Sequence, residues 1–342
     1  MTVAAAISCP MLLRLALYTS FAAITLASSS ACTDGAKRRV RFWLIDGSTA
    51  NQRGCYSGFL GNLSLYSAAV DSFGVMMVQM ASNGSGVYFR PIHNETSDWA
   101  CLDQIKALYQ HISIGVSASL DSDPGSLNTI AAHPPAMAAA VRAYKALHPN
   151  MDEFWTDFES KYLGAAQVPG VNEAFELSAQ VMLTTRYAGC EPRDPPYFGE
   201  TCANFTAAAP SVLVQAANTY WDTTISSGWY GGFEKLLRQE IDNIGEHNKG
   251  RLSPAICPAC PSAGNQDDTL SQQALYDRMD LVCSLGISDL SGFTFGEIYN
   301  RTTHKDRRGH SIGERYMEAL SYFRSGKKGV VLPLETVEVI AN

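Results

Sequence analysis

The sequence predicts an α/β protein built as a single (β/α)8 barrel of the TIM type. Eight short apolar runs read as strands, over residues 40–46, 74–81, 112–119, 153–159, 181–187, 212–220, 251–257 and 290–297. Between them apolar residues recur at spacings of three and four, as in Phe233, Leu236, Leu237, Ile241 and Ile244, which is the period of a helix packed on one side. Strands alternating with helices argue for a parallel sheet. Eight is the number that closes a barrel, and 342 residues suit one such domain.

The helical patterns are clearest over 102–111, 135–147, 232–246, 271–285 and 312–324, with weaker ones over 58–70 and 172–179. The connection between the fifth and sixth strands is rich in loop residues. The competing architecture is an open, doubly wound sheet, which would place a glycine-rich phosphate turn after the first strand. That turn reads Asp46-Gly47-Ser48-Thr49-Ala50-Asn51 and lacks G-x-G-x-x-G.

The termini bound the barrel to residues 32–326. Residues 1–31 read as a secretory signal: an apolar run follows Arg14 and ends in the small residues Ala27-Ser28-Ser29-Ser30-Ala31. The alternative is an uncleaved anchor. Residues 327–342 form a C-terminal tail whose apolar part, Val330-Val331-Leu332-Pro333-Leu334, is too short to span a membrane. Cysteine usage agrees with secretion. Of nine cysteines, Cys9 falls in the signal, and the other eight form an even set suited to disulfides. Cys190 and Cys202, which bracket a proline-rich loop, are the expected pair. N-x-S/T sequons at Asn62, Asn83, Asn94, Asn204 and Asn300 fit a secreted glycoprotein. The formal net charge of −7 argues against nucleic acid or an anionic membrane as partner. No membrane contact is expected once the signal is removed.

Barrel enzymes gather reactive groups at the C-terminal ends of their strands. Those ends carry Asp46 on the first strand, Asp157 and Glu159 on the fourth, and Arg186 on the fifth. The sixth ends in Asn218, Tyr220 and Asp222, and the eighth in Phe295 and Glu297. The fourth strand is the most informative. Strand side chains alternate faces, so Phe154, Thr156 and Phe158 suit packing under helices. Glu153, Trp155, Asp157 and Glu159 share the other face. Neighbouring carboxylates are costly unless one holds a proton, and a protonated Glu beside an ionised Asp is what an acid catalyst of glycoside cleavage needs. Aromatic rings such as Trp155 and Phe295 offer faces on which sugars stack. The plain alternative for any one of these polar residues is a loop start or a helix cap.

The fourth strand, Asp152-Glu153-Phe154-Trp155-Thr156-Asp157-Phe158-Glu159, resembles the D-G-x-D-x-D-x-E signature of glycoside hydrolase family 18. Asp152, Asp157 and Glu159 fall on the first Asp, the third Asp and the Glu. Tyr220-Trp221-Asp222 is similar to that family's M-x-Y-D motif, with one residue inserted and no Met. The resemblance implies a (β/α)8 barrel acting on N-acetylglucosamine-containing glycans by substrate-assisted retaining hydrolysis. Glu159 would protonate the leaving oxygen, and Asp157 would orient the substrate's acetamido group, whose oxygen attacks the anomeric carbon. Tyr220 would bond that acetamido group, with Asp222 beside it. Asn218, Trp155, Asp46, Arg186, Phe295 and Glu297 complete the expected substrate contacts. Glu153 stands where the signature has Gly, Trp155 where it has the middle Asp, and Ser113-Ile114-Gly115-Val116-Ser117 where an S-x-G-G pattern is usual. These departures leave open a barrel that binds glycans without cleaving them, or another secreted barrel hydrolase.

A retaining enzyme with a carboxylate nucleophile would need a second acid, often on strand seven. Arg251-Leu252-Ser253-Pro254-Ala255-Ile256-Cys257 supplies none, so Glu297 or Asp222 is the fallback. No metal or organic cofactor is expected. Cys257-Pro258-Ala259-Cys260 has no second half that would complete a zinc site. Asp121-Ser122-Asp123-Pro124-Gly125 lacks the distant Glu of a calcium loop.

Overall fold

The computed structural model describes residues 31–33, 37–45, 67–84, 86–92, 95–120, 124–158, 163–187, 200–207, 209–216, 233–256, 271–295 and 312–329. Its strands are β1 (Arg39–Ile45), β2 (Ser72–Ser82), β3 (Val87–Pro91), β4 (Ser113–Ser119), β5 (Glu153–Asp157), β6 (Leu183–Tyr187), β7 (Leu213–Ala216), β8 (Leu252–Ile256) and β9 (Asp289–Phe295). Its helices are α1 (Glu95–Leu108), α2 (Pro124–Ala132), α3 (Pro135–Leu147), α4 (Val168–Ala179), α5 (Glu200–Ala207), α6 (Phe233–Ile244), α7 (Gln272–Ser284) and α8 (Ile312–Ser325).

Eight of the strands are parallel and run β1-β2-β4-β5-β6-β7-β8-β9, and β9 returns to pair with β1. The sheet therefore closes into the expected (β/α)8 barrel, with no open edge among those eight. β3 is the exception. It folds back antiparallel on the outer half of β2, with Ser82 opposite Val87 and Val78 opposite Pro91. This hairpin, helix α2 and helix α5, which lies in the connection that read as loop, are elements that the sequence patterns did not single out. α1 also starts earlier than its apolar period suggested, at Glu95, because Asp98 and Trp99 are buried under it. α3 matches its expected span: its apolar face carries Met137, Val141 and Tyr144, and proline opens its first turn.

An apolar layer between the strands and the helices holds the barrel. The outward side chains of the strands meet the helices, as where Phe42 of β1 approaches Tyr316 of α8 with ring centroids 6.4 Å apart. On the opposite flank Phe158, Phe175 of α4 and Phe205 of α5 form one cluster, with Phe158 and Phe205 stacked at 4.6 Å.

The N-terminal segment is strapped to the far end of the fold. Cys32 is disulfide-bonded to Cys283 of α7, 251 residues away. The guanidinium of Arg38 donates to the Cys32 carbonyl at 2.8 Å. Gly326, just past α8, has φ +70°, and a Cβ there would lie 2.5 Å from the Cys32 oxygen, so glycine is required on both counts. Cys101 is disulfide-bonded as well, and the expected Cys190 lies outside the described residues. Closing so long a loop removes much chain entropy from the unfolded state. Cys283→Ser is expected to lower unfolding free energy by about 2–5 kcal/mol in denaturant titrations. An unchanged midpoint would show that the strap adds nothing to stability. Among the described residues, no helix is long and apolar enough to cross a membrane.

Candidate functional site

The inward side chains of β5 stand at three heights in the barrel. Phe154 faces outward, 5.5 Å from the ring of Phe89 on β3, and Phe158 faces α4 and α5. Alternation therefore sends Glu153, Trp155 and Asp157 into the lumen, as the sequence pattern implied.

Glu153 is the floor. It is 1% exposed and lies at the N-terminal ends of the strands. Arg41 of β1 donates to its Oε2, and Ser72 of β2 donates to its Oε1 at 2.6 Å. The same guanidinium reaches Asp289 of β9 at 3.2 Å, and Ser253 of β8 donates to Asp289 at 2.6 Å. Arg39 adds a longer contact to Glu153 at 3.6 Å. Burial alone would weaken the charge on Arg41, but Asp289 and Glu153 more than offset this and its pKa is raised. Burial raises the Asp289 carboxyl, against the pull of Arg41. The bottom of the barrel is thus closed by a paired, hydrogen-bonded ion cluster.

Trp155 is the middle. It is 1% exposed, and its indole Nε1 donates to Glu153 Oε2 at 2.8 Å. Its ring lies against the backbones of Gly74 and Gly115, where an added Cβ would come within 2.7 Å and 2.8 Å of it. The two glycines make room for a side chain where the family 18 signature carries a carboxylate. Gly115→Ala is expected to cost about 1–3 kcal/mol of unfolding free energy through overpacking. Adding Trp155→Phe to that variant should restore part of the loss. Equal stability of Gly115→Ala and the native chain would refute this packing.

Asp157 is the top. It is half-buried, stands in register with Ser119 of β4, and its carbonyl accepts from the Leu120 amide at 3.0 Å. The sequence did not single out the polar groups around this row. Ser117 of β4 and Thr185 of β6 both stand in register with Trp155, and Gln215 of β7 is opposite Tyr187. Their shared parity with Trp155 is the signal that could have found them.

The structure moves one expected residue away from this row. Arg186 is a correction. It shares the outward parity of Thr156, is fully buried, and its guanidinium lies 4.1 Å from the rings of both Phe175 and Phe205. It donates to Asn172 Oδ1 at 2.9 Å and to the Phe205 carbonyl. Burial, with Arg251 nearby, pushes its pKa down to about 9. It therefore packs the helical layer and does not line the mouth. Asp152 sits below the strand proper: its Oδ2 accepts from Lys106 at 2.8 Å and from the Ile114 amide at 2.9 Å, stapling β5 to β4. Phe295 closes β9 in register with Ile45. Glu159, Asp46, Asn218, Tyr220, Asp222 and Glu297 lie outside the described residues, as do Cys257 and Cys260. Among the described residues no cluster of His, Cys, Asp or Glu could hold a metal ion.

No family model matches the sequence, and no curated protein does. Solved structures match the fold. The C-terminal domain of a protein described as a chitinase from Desulfitobacterium hafniense DCB-2 has a TM-score of 0.57 and 12% identity, over 84% of this chain and 99% of that one. Human YKL-39, a pseudo-chitinase with retained chitooligosaccharide binding, has a TM-score of 0.54 and 10% identity, over 84% and 99%. Catalytic domain 2 of the Ostrinia furnacalis Group II chitinase has a TM-score of 0.55 and 8% identity, over 86% and 98%. At these identities the likeness is one of fold.

Proposed function

We propose, from a barrel fold shared with chitinases and a pseudo-chitinase, that this chain is a secreted glycoside hydrolase resembling family 18. It would act on N-acetylglucosamine-containing glycans by substrate-assisted retaining hydrolysis. The observation that carries the reading is the β5 row, in which Asp157 stands at the top of the lumen with the floor beneath it sealed. In the proposed mechanism Asp157 orients the acetamido group so that its oxygen attacks the anomeric carbon. Glu159, two residues further along, gives its proton to the leaving oxygen and then takes one from the incoming water. Tyr220 and Asp222 hold the acetamido group from the side. Secretion agrees with the buried Cys32–Cys283 disulfide, a bond that oxidising compartments sustain.

One observation favours a second reading, a barrel that binds glycans without cleaving them. Trp155 occupies the place of the signature's middle Asp, so Asp157 has an indole below it instead of another carboxylate. The test is turnover of a fluorogenic N-acetylglucosamine oligosaccharide by the secreted protein beside Glu159→Gln. Turnover that disappears in the variant supports hydrolysis. Saturable binding with no turnover at any pH supports the binding protein.

A further inference from the structure

Two arginines are buried almost completely, and the fold answers them in opposite ways. Arg41 is 2% exposed and lies between the carboxylates of Glu153 and Asp289. Arg186 is 0% exposed, and its Nη1 has only neutral acceptors, Asn172 Oδ1 at 2.9 Å and the Phe205 carbonyl. Its Nε and Nη2 are buried and have no hydrogen-bond partner in the protein. Among the described residues, the carboxylate whose charge acts on Arg186 is Glu176. That side chain is turned to Ser211, accepting from its amide at 3.3 Å and from its hydroxyl. Arg251 brings a second positive charge to bear on Arg186. Its own guanidinium holds the carbonyls of Val212 at 3.0 Å, Ala207 at 3.3 Å and Ala209 at 2.7 Å. Phe175 and Phe205 each stand 4.1 Å from the Arg186 guanidinium. Ring faces offset part of the cost of burying a cation, yet they carry no negative charge to neutralise it. A buried charge is normally paired, so a fully buried guanidinium with two open donors and a second cation nearby is a feature to explain.

We propose that the Nε–Nη2 edge of Arg186 binds one small monovalent anion, chloride being the type, in the layer between β6, α4 and α5. Nε–H and Nη2–H are neighbouring donors on one side of the guanidinium, the fork that arginine presents to anions. One negative charge neutralises Arg186 and is attracted by Arg251 as well. The walls set the size and charge. Phe158, Phe175 and Phe205 form a single apolar cluster here. A doubly charged or bulky oxyanion would give up more hydration on entry than one guanidinium restores. Water could make the same two hydrogen bonds but would leave the charge unanswered. The anion would tie β6 to α4 and α5 beside Phe158, the residue that leads from β5 into the Glu159 segment. The site does not depend on the glycan reading.

Two measurements on the whole protein test this. Crystals grown without halide are soaked in sodium bromide and measured at the bromine absorption edge. An anomalous peak within hydrogen-bonding reach of Arg186 Nε and Nη2 is expected. Water at that edge, or no density at all, overturns the site. In solution, thermal unfolding is followed as sodium chloride replaces sodium gluconate at fixed ionic strength, so that general screening does not change. The wild-type midpoint should climb with the logarithm of chloride concentration once the site fills, as a ligand that binds only the folded chain requires. Arg186→Met should show no such climb. If that variant does not fold, Arg186→Lys, which keeps the charge without the fork, should need more chloride for the same rise. A wild-type midpoint indifferent to chloride, or a climb that persists unchanged in the variants, overturns the site. A bromide peak with no chloride response in solution means an adventitious ion only and overturns it as well.

Discussion

Glu159→Gln is expected to lower oligosaccharide turnover by about 10²–10⁴-fold, the usual worth of a general acid. Glutamine keeps the size and hydrogen-bonding shape of the side chain but cannot give up a proton to the leaving oxygen. Binding should therefore remain within about threefold of the wild type, since the ground-state contacts are kept. The pH–rate profile of the wild type should be bell-shaped. Asp157 must be ionised to orient the acetamido group, and Glu159 must be protonated to act as acid. The two limbs belong to the pair rather than to either residue alone. Undiminished turnover by Glu159→Gln would remove Glu159 from the mechanism and point to a different hydrolase site on the same barrel.

Arg41→Met is expected to destabilise the fold by about 3–5 kcal/mol, the range for breaking a buried ion pair from one side. Arg41 is the shared cation between Glu153 and Asp289, and all three are buried. Methionine fills much of the volume but leaves two carboxylates facing one another, with only the half-exposed Arg39 nearby at 3.6 Å from Glu153. Glu153→Gln should cost less, about 1–3 kcal/mol, because hydrogen bonds from Ser72 and Trp155 to the side-chain oxygens can persist in part. Denaturant titration of the three proteins tests the order. Equal stability of Arg41→Met and the native chain would mean that the cluster contributes nothing net.

Much of the barrel is legible from periodicity. Runs such as Val40–Phe42–Leu44 are apolar because they face helices, and Glu153–Trp155–Asp157 was readable as one inward row by alternation alone. The hairpin strand β3 was not legible, because it is only five residues long and its inward pair, Val87 and Phe89, is too short an alternation to stand out. α2 was hidden because its first residues, Pro124-Gly125, read as a loop. Arg186 misled because a cation at a strand end looks like a mouth residue. Only the parity of its neighbours, and the two phenylalanines brought in from α4 and α5, reveal the outward side. The floor cluster joins Arg41, Glu153 and Asp289 across 248 residues, and no local pattern announces such a pairing. Serine and threonine on strands are ordinary, so Ser117 and Thr185 become informative only when their surroundings are known.

The strap between Cys32 and Cys283 also orders events during synthesis. The sheet closes only when β9 joins β1, and β9 begins at Asp289, just after Cys283. While the intervening chain is made, Cys32 waits as a thiol beside other cysteines, Cys55 and Cys101 among them, that emerge first. The nascent chain must hold that thiol in reserve, or shuffle it back from an early partner, before the cylinder can be sealed. Yield of correctly paired protein should therefore follow the isomerase capacity of the cell that makes it more closely than it follows the stability of the finished fold.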